Sequence, residues 1–248
     1  MPPRSVRLAE LSWVEVRDLI AAGYDTIVQS YGATEQHGPH LPLGTDAFQG
    51  DVIAERVARR IGNALVAPTI AIGWSDEFLD FPGSMSLAPG TVAAIVEDCC
   101  RSFATSGFRR ALLLVAHAGN CRPMADGIAR SGVSQPSITI LADPTLAGFI
   151  APFGPVGERL GISPEARNHA GHSETSMMLA IRPDLVLTDR YEQGFAGSRE
   201  EARARLPVEG VRALAPNGLL GQPDGSSAEA GEAYLDAWAA AAAALTGR

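Results

Sequence analysis

The chain has 248 residues and a formal charge of −8, from 20 basic and 28 acidic side chains, and every basic residue is Arg. The absence of Lys excludes a P-loop, a pyridoxal-phosphate Schiff base and a Ser–Lys dyad, and the acidic balance argues against a nucleic-acid partner. With 46% hydrophobic and 19% charged residues the composition is that of a folded globular chain, and no apolar run reaches the roughly 18–20 residues of a membrane span.

The first ten residues carry two Arg but no apolar stretch behind them, so no signal peptide is expected. Residues 11–22 read as a helix, with Leu11, Val14, Leu19 and Ile20 on its apolar face. A short β-rich run, 26–31, lies between Gly23 and Gly32 and reads as a strand. The Gly- and Pro-rich stretch 32–44 reads as a loop, and 46–61 as a helix. A second strand is expected at 64–70, a turn-rich loop at 74–86, and a helix at 91–106 capped by Gly107. That helix holds Cys99 and Cys100. With Cys121 they make three cysteines of irregular spacing, which argues for free thiols and a cytoplasmic setting rather than a disulfide framework.

The near-continuous apolar run 111–116 has the character of a strand buried on both faces. A helix at 120–131, a strand at 137–141, a long connection at 143–170 and a helix at 174–181 follow. Residues 190–227 read as loop-rich, and 228–245 as an Ala-rich helix packing through Tyr234, Leu235 and Trp238. Alternating strands and helices predict an α/β fold, layered α/β/α, with a mainly parallel sheet. No linker interrupts the pattern, so residues 1–248 are expected to form a single domain.

The chemistry concentrates in three segments, which together contain all five histidines. Glu35, His37, His40 and Asp46 leave the first strand and enter the following helix. His117 ends the buried strand. His169, His172 and Glu174 open a helix. In open α/β sheets the binding crevice lies beyond the carboxyl ends of the strands, and two of these segments follow strands directly. They supply imidazole and carboxylate ligands without thiolate, a set that suits Zn, Mn, Fe or Co.

Glu35-Gln36-His37-Gly38-Pro39-His40-Leu41-Pro42 with Thr45-Asp46 resembles the signature of the creatininase (creatinine amidohydrolase) family. The resemblance continues through Phe81-Pro82-Gly83-Ser84, the turn His117-Ala118-Gly119-Asn120, His169-Ala170-Gly171 with Glu174-Thr175-Ser176, and Gly221-Gln222-Pro223. It covers nearly the whole chain. It implies a creatininase-like α/β fold, a homohexamer, and two divalent metal ions per chain (Zn, Mn or Fe). By resemblance Glu35 and His117 hold one metal, His37 the other, and Asp46 bridges them. True creatininase has a Glu where this chain has Gly119, so the resemblance assigns the remaining ligand to Glu174, as in other family members. That departure points away from creatinine as the substrate. Residues 210–213 and 217–221, with His169-Ala170-Gly171-His172, are similar to the mycofactocin-system branch, whose member trims a precursor peptide. The turn at residues 115–120 and the absence of a His from 74–80 depart from that branch.

The reaction implied is cleavage of a C–N amide bond, in a cyclic amide, a formamide or a short peptide. A hydroxide held between the two metals is the nucleophile, and His169 is the general acid that protonates the leaving nitrogen. Ser75 falls in the family's substrate-binding loop, and His172 either flanks the pocket or, with Ser173, starts the helix. Two alternatives differ in class: a biosynthetic enzyme of another reaction type on the same metals, and a non-catalytic metal-bound scaffold.

Overall fold

The computed structural model describes residues 3–247. Four strands form one sheet: β1 (Thr26–Tyr31), β2 (Ala64–Val66), β3 (Arg110–Val115) and β4 (Thr139–Leu141). Their order is β2-β1-β3-β4 and every pairing is parallel. The sheet faces separate by the two-residue period of a strand. Val28, Leu112 and Leu114 pack to one side with Ile53, Val57, Tyr234 and Trp238. Ile27, Ala111 and Leu113 pack to the other with Val96, Phe103 and Met124. Both strands are buried on both faces; β3 is apolar from Ala111 to Val115, whereas β1 also buries the polar Thr26, Gln29 and Ser30.

Helix α1 (Trp13–Ala21) opens with a capping box in which Ser12 and Glu15 satisfy each other's backbone N–H. Helices α3 (Pro89–Ser106) and α4 (Cys121–Ser134) cover the face that contains Val96 and Met124. Gly107 closes α3 in the left-handed conformation, φ 99°. The opposite face is covered by α2 (Thr45–Ile61), α6 (Phe153–Leu160), α7 (His172–Ile181) and α10 (Ala228–Ala244). The result is the expected α/β/α layering.

Three stretches differ from the sequence expectation. The second strand stops at Val66, because Pro68 has no N–H to continue the ladder, and pairing resumes only as a single bridge from Tyr31 to Ile70. The connection 143–170 contains α5 (Leu146–Ile150) and α6. The loop-rich stretch 190–227 contains α8 (Arg199–Glu209) and α9 (Val211–Leu214). Among the described residues no helix is long and apolar enough to cross a membrane.

The strand order places the functional segments. From β1 the chain moves to one side of the sheet for β2, then crosses back for β3 and β4. This reversal makes the carboxyl ends of β1 and β3 the switch point at which open α/β sheets bind ligands. Tyr31 pairs with Val115, so the segments carrying Glu35 and His117 leave the sheet side by side.

Candidate metal centre

Asp46 lies in the first turn of α2, and Gly32 allows it to reach the end of β1. A Cβ at Gly32 would lie 2.9 Å from the backbone of Asp46 and Ala47, so a side chain there would push α2 off the strand. Asn120 ties the neighbouring segments together. Its amide nitrogen donates to the carbonyls of Tyr31 (3.1 Å) and Gly32 (2.9 Å), and its oxygen accepts from Trp74 N (3.0 Å).

Three histidines and three carboxylates converge. His37 Nε2 lies 3.1 Å from Asp46 Oδ1 and 3.7 Å from Glu174 Oε2. His117 Nδ1 lies 3.2 Å from Asp46 Oδ2 and 3.3 Å from Glu35 Oε1. His169 Nδ1 lies 3.8 Å from Glu35 Oε1. The ligand atoms form two groups that share Asp46: Glu35, Asp46 and His117, and His37, Asp46 and Glu174. A third group joins Glu35, His37 and His169. Glu35 and His37 are fully buried, and Asp46 and His117 are 4% and 5% exposed.

Backbone carbonyls fix the histidine tautomers. His37 Nδ1–H donates to the Glu35 carbonyl (3.1 Å), so its Nε2 lone pair faces Asp46 and Glu174. His117 Nε2–H donates to the Trp74 carbonyl (2.9 Å), so its Nδ1 lone pair faces Glu35 and Asp46. His169 Nε2–H donates to the Gln36 carbonyl (2.9 Å), which leaves Nδ1 facing Glu35. Lone pairs aimed at carboxylates repel unless a proton or a cation lies between them. This is the arrangement of metal-ligating histidines, whose far nitrogen is anchored by a carbonyl.

The titration behaviour agrees. Burial favours neutral imidazoles, but Asp46, Glu174 and Glu35 outweigh it and raise the His37 pKa to about 10. Glu35 and Asp46 likewise hold the His117 pKa well above its usual range against burial. Burial raises the Glu174 pKa to about 7, with His37 opposing it. Burial, reinforced by the charge of His37, keeps the His169 pKa well below the ordinary value. With His117 neutral, both oxygens of Glu35 and Oδ2 of Asp46 are buried without a hydrogen-bond donor. Orphaned buried carboxylate oxygens are costly, and oxygen and imidazole donors of this kind fit divalent cations such as Zn or Mn. The donor set therefore fits divalent-metal binding, with Asp46 common to two of the candidate ligand groups.

Gly119 accounts for one departure noted in the sequence. A Cβ at that position would run into the Trp74 carbonyl oxygen and His117 Nε2, so this backbone accepts no acidic side chain there. A carboxylate arrives instead from α7, where Glu174 lies in the first turn.

Two residues predicted near substrate lie elsewhere. Ser75 is fully buried behind His117, with Oγ 3.3 Å from Nε2. His172 is buried between α7 and α10. Its Nε2–H donates to the Gly225 carbonyl (3.2 Å) and its Nδ1 accepts from Tyr234 OH (3.2 Å). Neither lines the cavity that opens beside the cluster. That cavity holds about 200 Å³ and contains Glu35, Asp46, His117, His169 and Glu174. His40 lies outside it too, with Nε2 2.8 Å from Thr175 Oγ1.

Sequence reasoning missed two residues that shape the site. The Gln36 side chain accepts from Gly38 N (2.9 Å) and donates to the Gly218 carbonyl (3.0 Å), while its backbone carbonyl accepts from His169 Nε2 (2.9 Å). Phe78 stacks on the His169 ring with centroids 4.6 Å apart, and the His37 ring lies 4.5 Å away. The position of Gln36 inside the first motif was the available signal; nothing local marked Phe78.

Comparison with known proteins gives a consistent picture. The family model for Creatininase (Creatinine amidohydrolase) matches residues 9–246. The mycofactocin precursor peptide peptidase of Mycolicibacterium smegmatis is 34% identical over 206 residues, covering 81% of this chain and 76% of the relative. The creatinine amidohydrolase of Pseudomonas putida is 32% identical over 251 residues, covering 94% and 93%. Among solved structures, a creatinine amidohydrolase (creatininase) superposes with a TM-score of 0.84 at 29% identity, covering 99% of this chain and 98% of that one. A Mn creatininase superposes with a TM-score of 0.82 at 30% identity, covering 97% and 96%. With fold, motifs and nearly the full length in agreement, the chain belongs to the creatininase (creatinine amidohydrolase) family of hydrolases.

Proposed function

We propose that this protein is a metal-dependent amidohydrolase that cleaves a C–N amide bond in a small amide or short peptide. The observation that carries this reading is the shared carboxylate of Asp46, which lies on the cavity wall and faces His37 with one oxygen and His117 with the other. Glu35, Asp46 and His117 would hold one divalent ion, and His37, Asp46 and Glu174 the second. When bound, such ions activate water at neutral pH and polarise the amide carbonyl, so no Ser or Cys nucleophile is required.

The protein's own residues supply the proton chemistry. His169 rests neutral, with Nε2–H committed to the Gln36 carbonyl and Nδ1 turned toward Glu35. It takes up a proton at Nδ1 as the amide is attacked and delivers it to the leaving nitrogen, as general base and then general acid. Stacking by Phe78 and the hydrogen bond to the Gln36 backbone carbonyl hold the ring for this transfer. Creatinine is not the preferred substrate in this reading, because Gly119 leaves no room for the acidic side chain that creatininase carries there.

The test is hydrolysis of a panel of lactams, formamides and short peptides by the metal-loaded protein, before and after chelation. Turnover that disappears with chelator and returns with Zn or Mn supports the reading. Metal-loaded protein that hydrolyses no member contradicts it.

A further inference from the structure

Helix α8 runs along the cavity and turns Arg199, Ala202, Arg203 and Leu206 toward it. That i, i+3, i+4, i+7 spacing is one stripe of the helix. Arg167, in the turn before α7, lines the same cavity. Three guanidiniums therefore share a cavity with the His–carboxylate cluster.

These arginines differ from the paired ones elsewhere in the chain. Arg7, Arg59, Arg110 and Arg205 each lie 2.6–3.0 Å from a carboxylate. Arg199 and Arg203 make no hydrogen bond or ion pair among the described residues. Among the described residues Arg167 is anchored by carbonyls alone, through Nη1 to Phe153 O (2.6 Å) and Nε to Ser163 O (3.3 Å). Glu77, another carboxylate on the cavity wall, forms no ion pair with any of the three. Arg199 is half-buried, and burial together with the charges of Arg167 and Arg203 pushes its pKa down, against Glu165 and Glu174.

Like charges gathered at a partly desolvated wall repel one another until an anion joins them. The guanidinium fork matches a carboxylate geometrically and binds it through charge-assisted hydrogen bonds. The same cavity is also lined by the apolar Leu146, Phe149 and Phe153 of α5 and α6. We propose that Arg167, Arg199 and Arg203 form a carboxylate-recognition subsite, and that the substrate is an amide carrying a free carboxylate on an apolar body, as an acylamino acid or a short peptide with a free C-terminus does. The nature of the substrate rests on the amidohydrolase reading, while the subsite rests on the arginines alone.

Calorimetric titration of metal-loaded wild type and R199Q/R203Q with N-acetyl-L-phenylalanine and its neutral carboxamide separates the two. In wild type the acid should bind at least about tenfold more tightly than the carboxamide, as expected for one charge-assisted pair. In R199Q/R203Q the two should bind within about twofold of each other. R203Q alone, at the more exposed guanidinium, should lose part of the preference and serves if the double variant does not fold. Equal binding in wild type, no binding of either probe, or a preference that survives in the variants overturns the subsite. Hydrolysis is scored separately: a preserved binding preference without turnover on any amide leaves the subsite standing and contradicts the amidohydrolase reading.

Discussion

The Ala170 N–H donates a 2.6 Å hydrogen bond to Glu174 Oε2. Ala170 does so from a left-handed backbone, φ 56°, the one non-glycine positive φ among the described residues. That conformation costs an L-residue about 1–2 kcal/mol. The turn is held by Gly171 N donating to Asn168 O (2.8 Å) and His172 N donating to Ala166 O (2.8 Å). The cost is met where a carboxylate must be aimed at His37, in keeping with strain concentrating at functional sites.

Ala170→Gly should therefore keep full metal content, because glycine adopts this φ freely. Ala170→Val, β-branched, should weaken metal binding by about 10–100-fold through misplacement of Glu174. Metal titration of both variants checks this. Equal affinities would mean that Ala170 does not position Glu174.

His169→Gln should lower kcat by about 10²–10⁴-fold, the usual contribution of a positioned proton-transfer group. Metal stoichiometry should stay at the wild-type value. Because His169 also lies near Glu35 and His37, a fall in bound metal would identify it as a ligand instead.

Metal affinity should rise with pH. In the absence of a cation, the raised pKa values keep His37 and His117 protonated at neutral pH, and Glu174, with a pKa near about 7, takes up a further proton below that. A cation must displace these protons, so affinity rises by about tenfold per pH unit for each proton released. Calorimetry in buffers of different ionisation enthalpy counts them. A flat affinity between about pH 6 and 9 would contradict the protonation pattern.

Tyr234→Phe removes the donor to the buried His172 Nδ1. It should cost about 1–3 kcal/mol of stability in denaturant titration, the penalty for an unsatisfied buried acceptor, and leave metal content unchanged. Loss of metal without loss of stability would place His172 in the site instead of between α7 and α10.

The centre of the fold was legible because its signals are local. The strand at Thr26–Tyr31 matches its expected bounds, since its β-branched and aromatic residues and the flanking Gly23 and Gly32 mark it locally. The clustering of the site segments was legible from histidines that follow strand ends. What failed depends on distant partners. Helices α5 and α6 were read as a connection because their apolar residues find support only in the fold, where Phe149 and Phe153 meet Trp238 edge-to-face. Helix α8 carries little apolar periodicity, and its ion pairs from Arg205 to Glu201 and Glu209 become evident only once the helix exists. Ser75 and His172 illustrate the same limit at the site: a place in the substrate-binding loop implied by resemblance, and a place at a helix start, do not tell whether a side chain lines the cavity, and neither does.

The central claim is that Asp46 joins two metal sites, and the most direct measurement is metal content per chain in wild type and Asp46→Ala. After loading and desalting, wild type should retain two equivalents of Zn or Mn. Asp46→Ala, which removes the carboxylate common to both groups, should retain fewer than one and lose amide hydrolysis. Two equivalents retained by Asp46→Ala, or none by wild type, would contradict the account.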